Sequence, residues 1–296
     1  MSRGTFSIVA ADPEAGEVGC AVQSKYFSVG SVVPWARAGT GAVATQAAGV
    51  AAYGERALAE LAGGASPEQA IGRVLDGDPG KETRQLGVVA ADGRAAAYTG
   101  ADCLDWAGHR VGPCFAAQGN ILAGETVVEE LARAFEETRG PLVERLVAAL
   151  EAAQAAGGDR RGQQSAAVVV ERAGAAAESR EGVDRICDLR VEDDPEPIVE
   201  LRRLVGIWSR WEALRRAGRL YEAREYEAAA DLLEASTTTA GDGMLLYNLA
   251  CYESLAGRDG DALAHLQRAI ELDPSHRELA AQDADFDPIR PAVSSL

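Results

Sequence analysis

The sequence predicts an α+β protein in which helices lie outside two packed antiparallel sheets, with a small all-helical domain behind them. Three observations predict it. Strand-like and helix-like stretches come in segregated blocks: four strands, two helices, three strands, two helices, two strands. Blocks of that kind belong to antiparallel sheets with helical layers, not to a parallel sheet wound from βαβ units. Each apolar sheet face then needs a cover, which a second sheet and outer helices supply. From about residue 206 onward only helical patterning remains.

The first block opens with "TFSIVAAD" and "EVGCAVQSKYF", two apolar runs around the turn-forming "PEAG", which read as a hairpin. Lys25 closes the second run, and the only other lysine of the chain is Lys81. "SVVPWA" and "GAVATQAA" follow, the former with a proline that suits an edge strand. "YGERALAELAGG" is a helix stopped by a glycine pair. "SPEQAIGRVLDGD" starts with Ser66 as N-cap, Pro67 at the first helical position and Gln69 where a capping box needs it. "RQLGVVAADGRAAAYTG" is a second hairpin, turned at Asp92-Gly93, and "CFAAQGN" a strand ending in a polar tip. Two alanine- and leucine-rich helices, roughly 122–138 and 141–156, meet at Gly140-Pro141. The glycine-rich break "GGDRRGQQS" leads into the strand "AAVVVERA", and "ICDLRVEDD" is the last strand.

The boundary falls near residue 205, giving a domain over 1–205 and a helical one over 206–296. In the latter, "YEAAADLLEA" (226–235) aligns with "GDALAHLQRA" (260–269), so that Ala228, Leu232 and Ala235 match Ala262, Leu266 and Ala269. That 34-residue offset is the period of the tetratricopeptide repeat (TPR), and Pro274 stands where such a repeat ends its helix. Two repeats fall short of the usual independent minimum of about three. This TPR-like array is therefore expected to lean on the main domain, on a protein partner, or on a second copy of the chain.

A formal charge of −17 with no basic cluster argues against nucleic acid and against anionic membrane surfaces. Five scattered cysteines never fall in a CxxC spacing, which argues against a zinc site or a disulfide framework. Neither a signal-type apolar run nor a span of ~18 apolar residues is present, so the expectation is a cytoplasmic protein. His109 is the one histidine of the first domain. It leaves little material for a serine–histidine triad or a histidine metal site, and no cofactor is expected.

The chemistry-bearing residues stand at the start. A hydroxyl is a weak nucleophile and needs a base. If the chain is cut before Thr5, the freed α-amine, with a pKa near ~8, can be that base. A nearby lysine ammonium, Lys25 on the paired strand, would favour the neutral amine and steady a developing oxyanion. Competing readings remain open here. Thr5 is also an ordinary strand residue, Ser7 lies on the same strand face, and Lys25 can equally form an ion pair with Asp159 or Asp188.

The stretches "TFSIVAADPEAGEVGCAVQSKYFSVGSVVPWARAGTGAVATQA", "WAGHRVG", "AAQGNILAG", "AAGGDRRGQQSAA" and "DLRVEDDPEPIVELRRL" resemble a prokaryotic domain-of-unknown-function family, DUF1028. That family belongs to the N-terminal nucleophile (Ntn) hydrolases, the class of proteasome β subunits. The resemblance, over about residues 5–204, implies a four-layer αββα sandwich. It also implies Thr5 as nucleophile after removal of residues 1–4, Gly4 matching the glycine of the proteasome cleavage junction, and Lys25 as the strand lysine. Asp159 and Ser165 would stand around the terminal amine, and Asn120 would donate an amide to the oxyanion. The activity implied is hydrolysis of a small amide or peptide-like substrate. The alternative is an inactive scaffold that binds a protein through its repeats. Separately, the acidic charge and the helical tail lead to the expectation of a homo-oligomer or a protein partner.

Overall fold

The computed structural model describes residues 4–178, 182–236 and 241–296. Residues 1–3 of the segment whose removal would expose Thr5 lie outside these. Two compact units are present, one ending at Val205 and one beginning at Gly206.

The first unit holds two antiparallel sheets. One orders its strands β10-β9-β2-β1-β8-β7 and the other β3-β4-β5-β6. The strands are β1 (Thr5–Asp12), β2 (Glu17–Ser24), β3 (Pro34–Arg37), β4 (Gly41–Ala47), β5 (Arg84–Ala90), β6 (Ala95–Thr99), β7 (Gly108–Gly112), β8 (Phe115–Asn120), β9 (Ser165–Arg172) and β10 (Arg185–Val191). Helices α1 (Ala52–Ala62) and α2 (Pro67–Leu75) follow β4, and α3 (Thr126–Glu137) and α4 (Leu142–Ala155) follow β8. A single turn, α5 (Ala175–Glu178), precedes β10.

Period-two alternation decides which side chain goes where. On β1, Val9 and Ala11 join Val22, Ala42 and Val89 in the core between the sheets, so Thr5 and Ser7 share that inner face. Phe6 and Ile8, both fully buried, face the other way, toward α3 and α4. At Gly19 on β2 an added methyl would lie 3.0 Å from Leu146 of α4, so the helix approaches the bare backbone there. Tyr53, Leu58 and Leu61 of α1 and Ile71, Val74 and Leu75 of α2 cover the outer face of the second sheet, against Val43, Leu86 and Val88. The capping box at Ser66 forms as expected, its hydroxyl accepting from the Gln69 N–H while the Gln69 side chain takes the Ser66 N–H.

One strand departs from expectation. β7, "GHRVG", has an exposed middle and lies at a sheet edge, so it lacks the apolar alternation that betrays a strand. Proline-bearing β3 is an edge strand, as its sequence requires. All five cysteines are free thiols.

The second unit is helical. α6 (Pro197–Glu222) carries the boundary, followed by α7 (Tyr226–Ser236), α8 (Gly243–Leu255), α9 (Asp259–Leu272), α10 (Ser275–Gln282) and the closing turn α11 (Arg290–Val293). Its own core joins Ala217, Ala229, Leu233, Leu249, Leu266 and Phe286. Here the 34-residue alignment is out of phase. Ala228 and Ala235 are exposed, whereas Ala262 and Ala269 are fully buried. The buried Ala229 and Leu233 match Ala262 and Leu266 at an offset one residue shorter. No described helix is long and apolar enough to cross a membrane.

Candidate active site

Backbone register sets four polar residues in one row. Thr5 pairs with Ser24 on one side and with Asn120 on the other, and Ser24 pairs with Ser165. Directly opposite residues share a sheet face, so Asn120, Thr5, Ser24 and Ser165 line up across β8, β1, β2 and β9 on the inner face. All four are buried.

The row meets the carbonyl of Gly4, the peptide unit just before Thr5. Three groups donate to that one oxygen: Thr5 Oγ1 at 2.6 Å, Ser24 Oγ at 2.5 Å and Arg161 Nη2 at 2.7 Å. The two hydroxyls also lie 3.0 Å apart. A neutral carbonyl oxygen has two lone pairs, so three donors, one of them a guanidinium, suit an oxygen that carries more charge than a resting peptide. They surround the atom on which negative charge would appear if the Gly4 carbonyl carbon were attacked.

Arg161 is held in place by Asp159. The carboxylate accepts from the Arg161 N–H at 2.9 Å, Nε at 3.1 Å and Nη2 at 2.7 Å, and from the Lys25 N–H at 3.0 Å. The Asp159 side chain is wholly shielded from solvent. It also packs against Gly4, where an added methyl would lie 2.7 Å from Oδ1. A side chain at position 4 would therefore have to displace the Asp159 carboxylate from its hydrogen bonds.

Other expected residues sit differently. β2 ends at Ser24, so Lys25 lies past the strand; its side chain is exposed and its ammonium donates to the Gln163 carbonyl at 3.0 Å. Ser24 therefore takes the place beside Thr5 that the lysine was expected to fill. The carboxylates proposed as Lys25 partners pair with arginines: Asp159 with Arg161, and Asp188 with Arg185 and Arg190. Ser165 accepts from the Val29 N–H and donates to the Tyr26 carbonyl, pinning the loop after β2 rather than touching Thr5. Asn120 gives its amide to Gln85 Oε1 at 2.9 Å. Gln46 also donates to that oxygen and accepts from Ser7 at 2.6 Å, and Gln118 donates to the Ser7 hydroxyl at 2.7 Å. Ser7, the competing nucleophile, is thus fully buried and locked between two glutamines. His109, exposed on β7, bonds the Thr99 hydroxyl.

Sequence reasoning missed Ser24 and Arg161. Both lie within stretches already singled out, "VQSKYF" and "GGDRRGQQS". The attraction of a lone lysine masked the serine beside it, and paired arginines in a glycine-rich loop look like solvated charge.

A cavity of about 70 Å³ opens beside Thr5 and Ser24, walled by Val29, Val32, Val33 and Ala47. In the second unit, Cys251, Asp283 and Asp285 bring potential ligand atoms within 4.8 Å of one another. Both carboxylates there already accept tyrosine hydroxyls, from Tyr247 and Tyr221.

Comparison with known proteins follows the first unit. The model of a family of unknown function, DUF1028, matches residues 5–201. A crystal structure of a DUF1028 protein from Silicibacter pomeroyi is similar at 33% identity and a TM-score of 0.61, over 68% of this chain and 88% of that one. No curated protein matches.

Proposed function

We propose that this chain, which belongs to the DUF1028 family of unknown function, is an amide hydrolase of the Ntn type that frees its own nucleophile by cutting the Gly4–Thr5 bond. The observation that carries the reading is the Gly4 carbonyl oxygen, held by Thr5, Ser24 and Arg161 together. On this reading the two stacked sheets with their outer helices are the αββα sandwich of that class.

The first step is internal. Thr5 Oγ1 attacks the Gly4 carbonyl carbon, and the oxygen takes up negative charge against Ser24 Oγ and the Arg161 guanidinium. The C–N bond to Thr5 breaks, the hydroxyl proton passes to the departing nitrogen, and an ester links Gly4 to Oγ1. Water hydrolyses that ester, leaving a carboxylate on Gly4 and a free amine on Thr5. Asp159 keeps the guanidinium aimed throughout.

Turnover reuses the same parts. The Thr5 amine accepts the hydroxyl proton as Oγ1 attacks a substrate amide, and the oxyanion forms where the Gly4 oxygen had been. The leaving amine takes the proton, and water resolves the acyl-enzyme. Arg161 supplies the cation that the class otherwise draws from a strand lysine.

A hydroxyl-directed acylating probe tests the assignment. It is expected to label Thr5 in the wild-type chain, and Thr5→Ala is expected to remove that label while Ser7→Ala keeps it. A label that survives Thr5→Ala, or no label at all, rules the assignment out. Absence of any label favours the second reading, an inactive scaffold whose TPR-like unit recruits a protein or a second copy. Its supporting observation is the exposure of Trp211, Met244, Leu272 and Leu279 on that unit.

A further inference from the structure

The cavity beside Thr5 has a composition that restricts what it can hold. We infer that it is the acyl pocket of the enzyme and takes a short, uncharged aliphatic group, so that the substrates are amides of small aliphatic acids. This rests on the hydrolase reading above and adds the substrate class to it.

Position comes first. The cavity is bounded by Thr5 and Ser24, two of the three groups on the Gly4 carbonyl, so a chain lying in it starts next to the nucleophile. Val29 and Val33, both buried, line it together with the half-buried Val32, Tyr26 and Ala51. None of the described residues lining it carries a charge.

Polarity follows. Two polar side chains, Thr45 and Gln46, also line the cavity. The Thr45 hydroxyl donates to the Val50 carbonyl at 3.2 Å. The Gln46 amide is taken by Gln85 and Thr5 O, and its oxygen by Ser7. A carboxylate or ammonium lodged against Val29, Val32 and Val33 would therefore lose its water without gaining a counter-charge or a hydrogen bond from those side chains, a heavy cost.

Size decides the rest. At about 70 Å³ the space is about half of the ~150 Å³ that admits a benzene ring in an apolar protein cavity. A chain of a few carbons fits within it, and an aromatic ring would project beyond it. Val32 is the wall residue that can be trimmed at least cost to the core, because it is half-buried while Val29 and Val33 are buried.

The test uses the wild-type chain and β-lactone probes bearing propyl, phenylmethyl or carboxyethyl groups, with the rate of mass gain at Thr5 as readout. The propyl probe is expected to react about tenfold or more faster than either of the others. Val32→Ala is expected to raise the phenylmethyl rate selectively. Phenylmethyl or carboxyethyl rates equal to the propyl rate, or an unchanged ratio in Val32→Ala, would overturn the pocket assignment while leaving Thr5 as nucleophile. If no probe reacts, the hydrolase reading fails, and binding then judges the cavity separately. Ligand-observed NMR with butyramide, phenylacetamide and succinamate should show butyramide bound in preference; no preference among the three contradicts the inference.

Discussion

At the scale of single residues the candidate chemistry depends on Ser24 and Arg161 more than on Lys25. Ser24→Ala removes one donor from the Gly4 oxygen and is expected to slow self-cleavage by about 10²–10³-fold with the fold intact. Arg161→Ala does more, because it also leaves the shielded Asp159 carboxylate with backbone donors but without its paired guanidinium. Its expected cost is about 3–5 kcal/mol of stability as well as the loss of cleavage. Lys25→Ala removes an exposed hydrogen bond to a carbonyl and should change the cleavage rate by no more than about fivefold. Parallel time courses of intact mass and urea unfolding midpoints check the three together. Thr5 stood out in the sequence as a candidate through its place near the N-terminus, the lysine on the paired run and the family resemblance. Arg161 did not, since only the folded loop turns its guanidinium back onto Gly4.

Among the secondary-structure elements, strands with one or two apolar faces were legible and the thin edge strand β7 was not, because three of its five residues are exposed. The helical character of the second unit was legible, but the 34-residue alignment was not the one that burial selects, since alanine-rich helices offer several equivalent alignments. A charged joint between elements gives a pH prediction. Asp78, in the connection from α2 to β5, accepts from Arg84 Nε at 2.9 Å, from the Tyr53 hydroxyl at 2.7 Å and from the Gly80 N–H at 2.8 Å. These bonds, that of Arg84 foremost, hold its carboxyl well below the usual carboxylate range. A depressed carboxylate pKa stabilises the fold above the unfolded value, near ~4, and that stability is lost as pH falls through the folded value. The unfolding midpoint of the wild type should therefore drop on acidification below about pH 4, and Asp78→Asn should flatten that limb. An acid limb of equal slope in the variant would show that Asp78 does not contribute to it.

For the molecule as a whole, the side-chain hydrogen bonds described on Gly4 and Thr5 come from residues of the first unit. The second unit has a core of its own. A chain ending at Val205 is accordingly expected to retain circular dichroism of a mixed α+β fold and to label Thr5 at the rate of the whole chain. Loss of labelling with the fold preserved would give the helical unit a part in the chemistry. The formal charge of −17 sets no preference among neutral amides. The central claim is that Thr5 attacks the carbonyl of Gly4, and the intact mass of the purified chain beside its Thr5→Ala variant tests it most directly. The account predicts a wild-type chain that begins at Thr5 and a variant that keeps Gly4. A wild-type chain that retains Gly4 on prolonged incubation, with a mass history identical to the variant's, would contradict it.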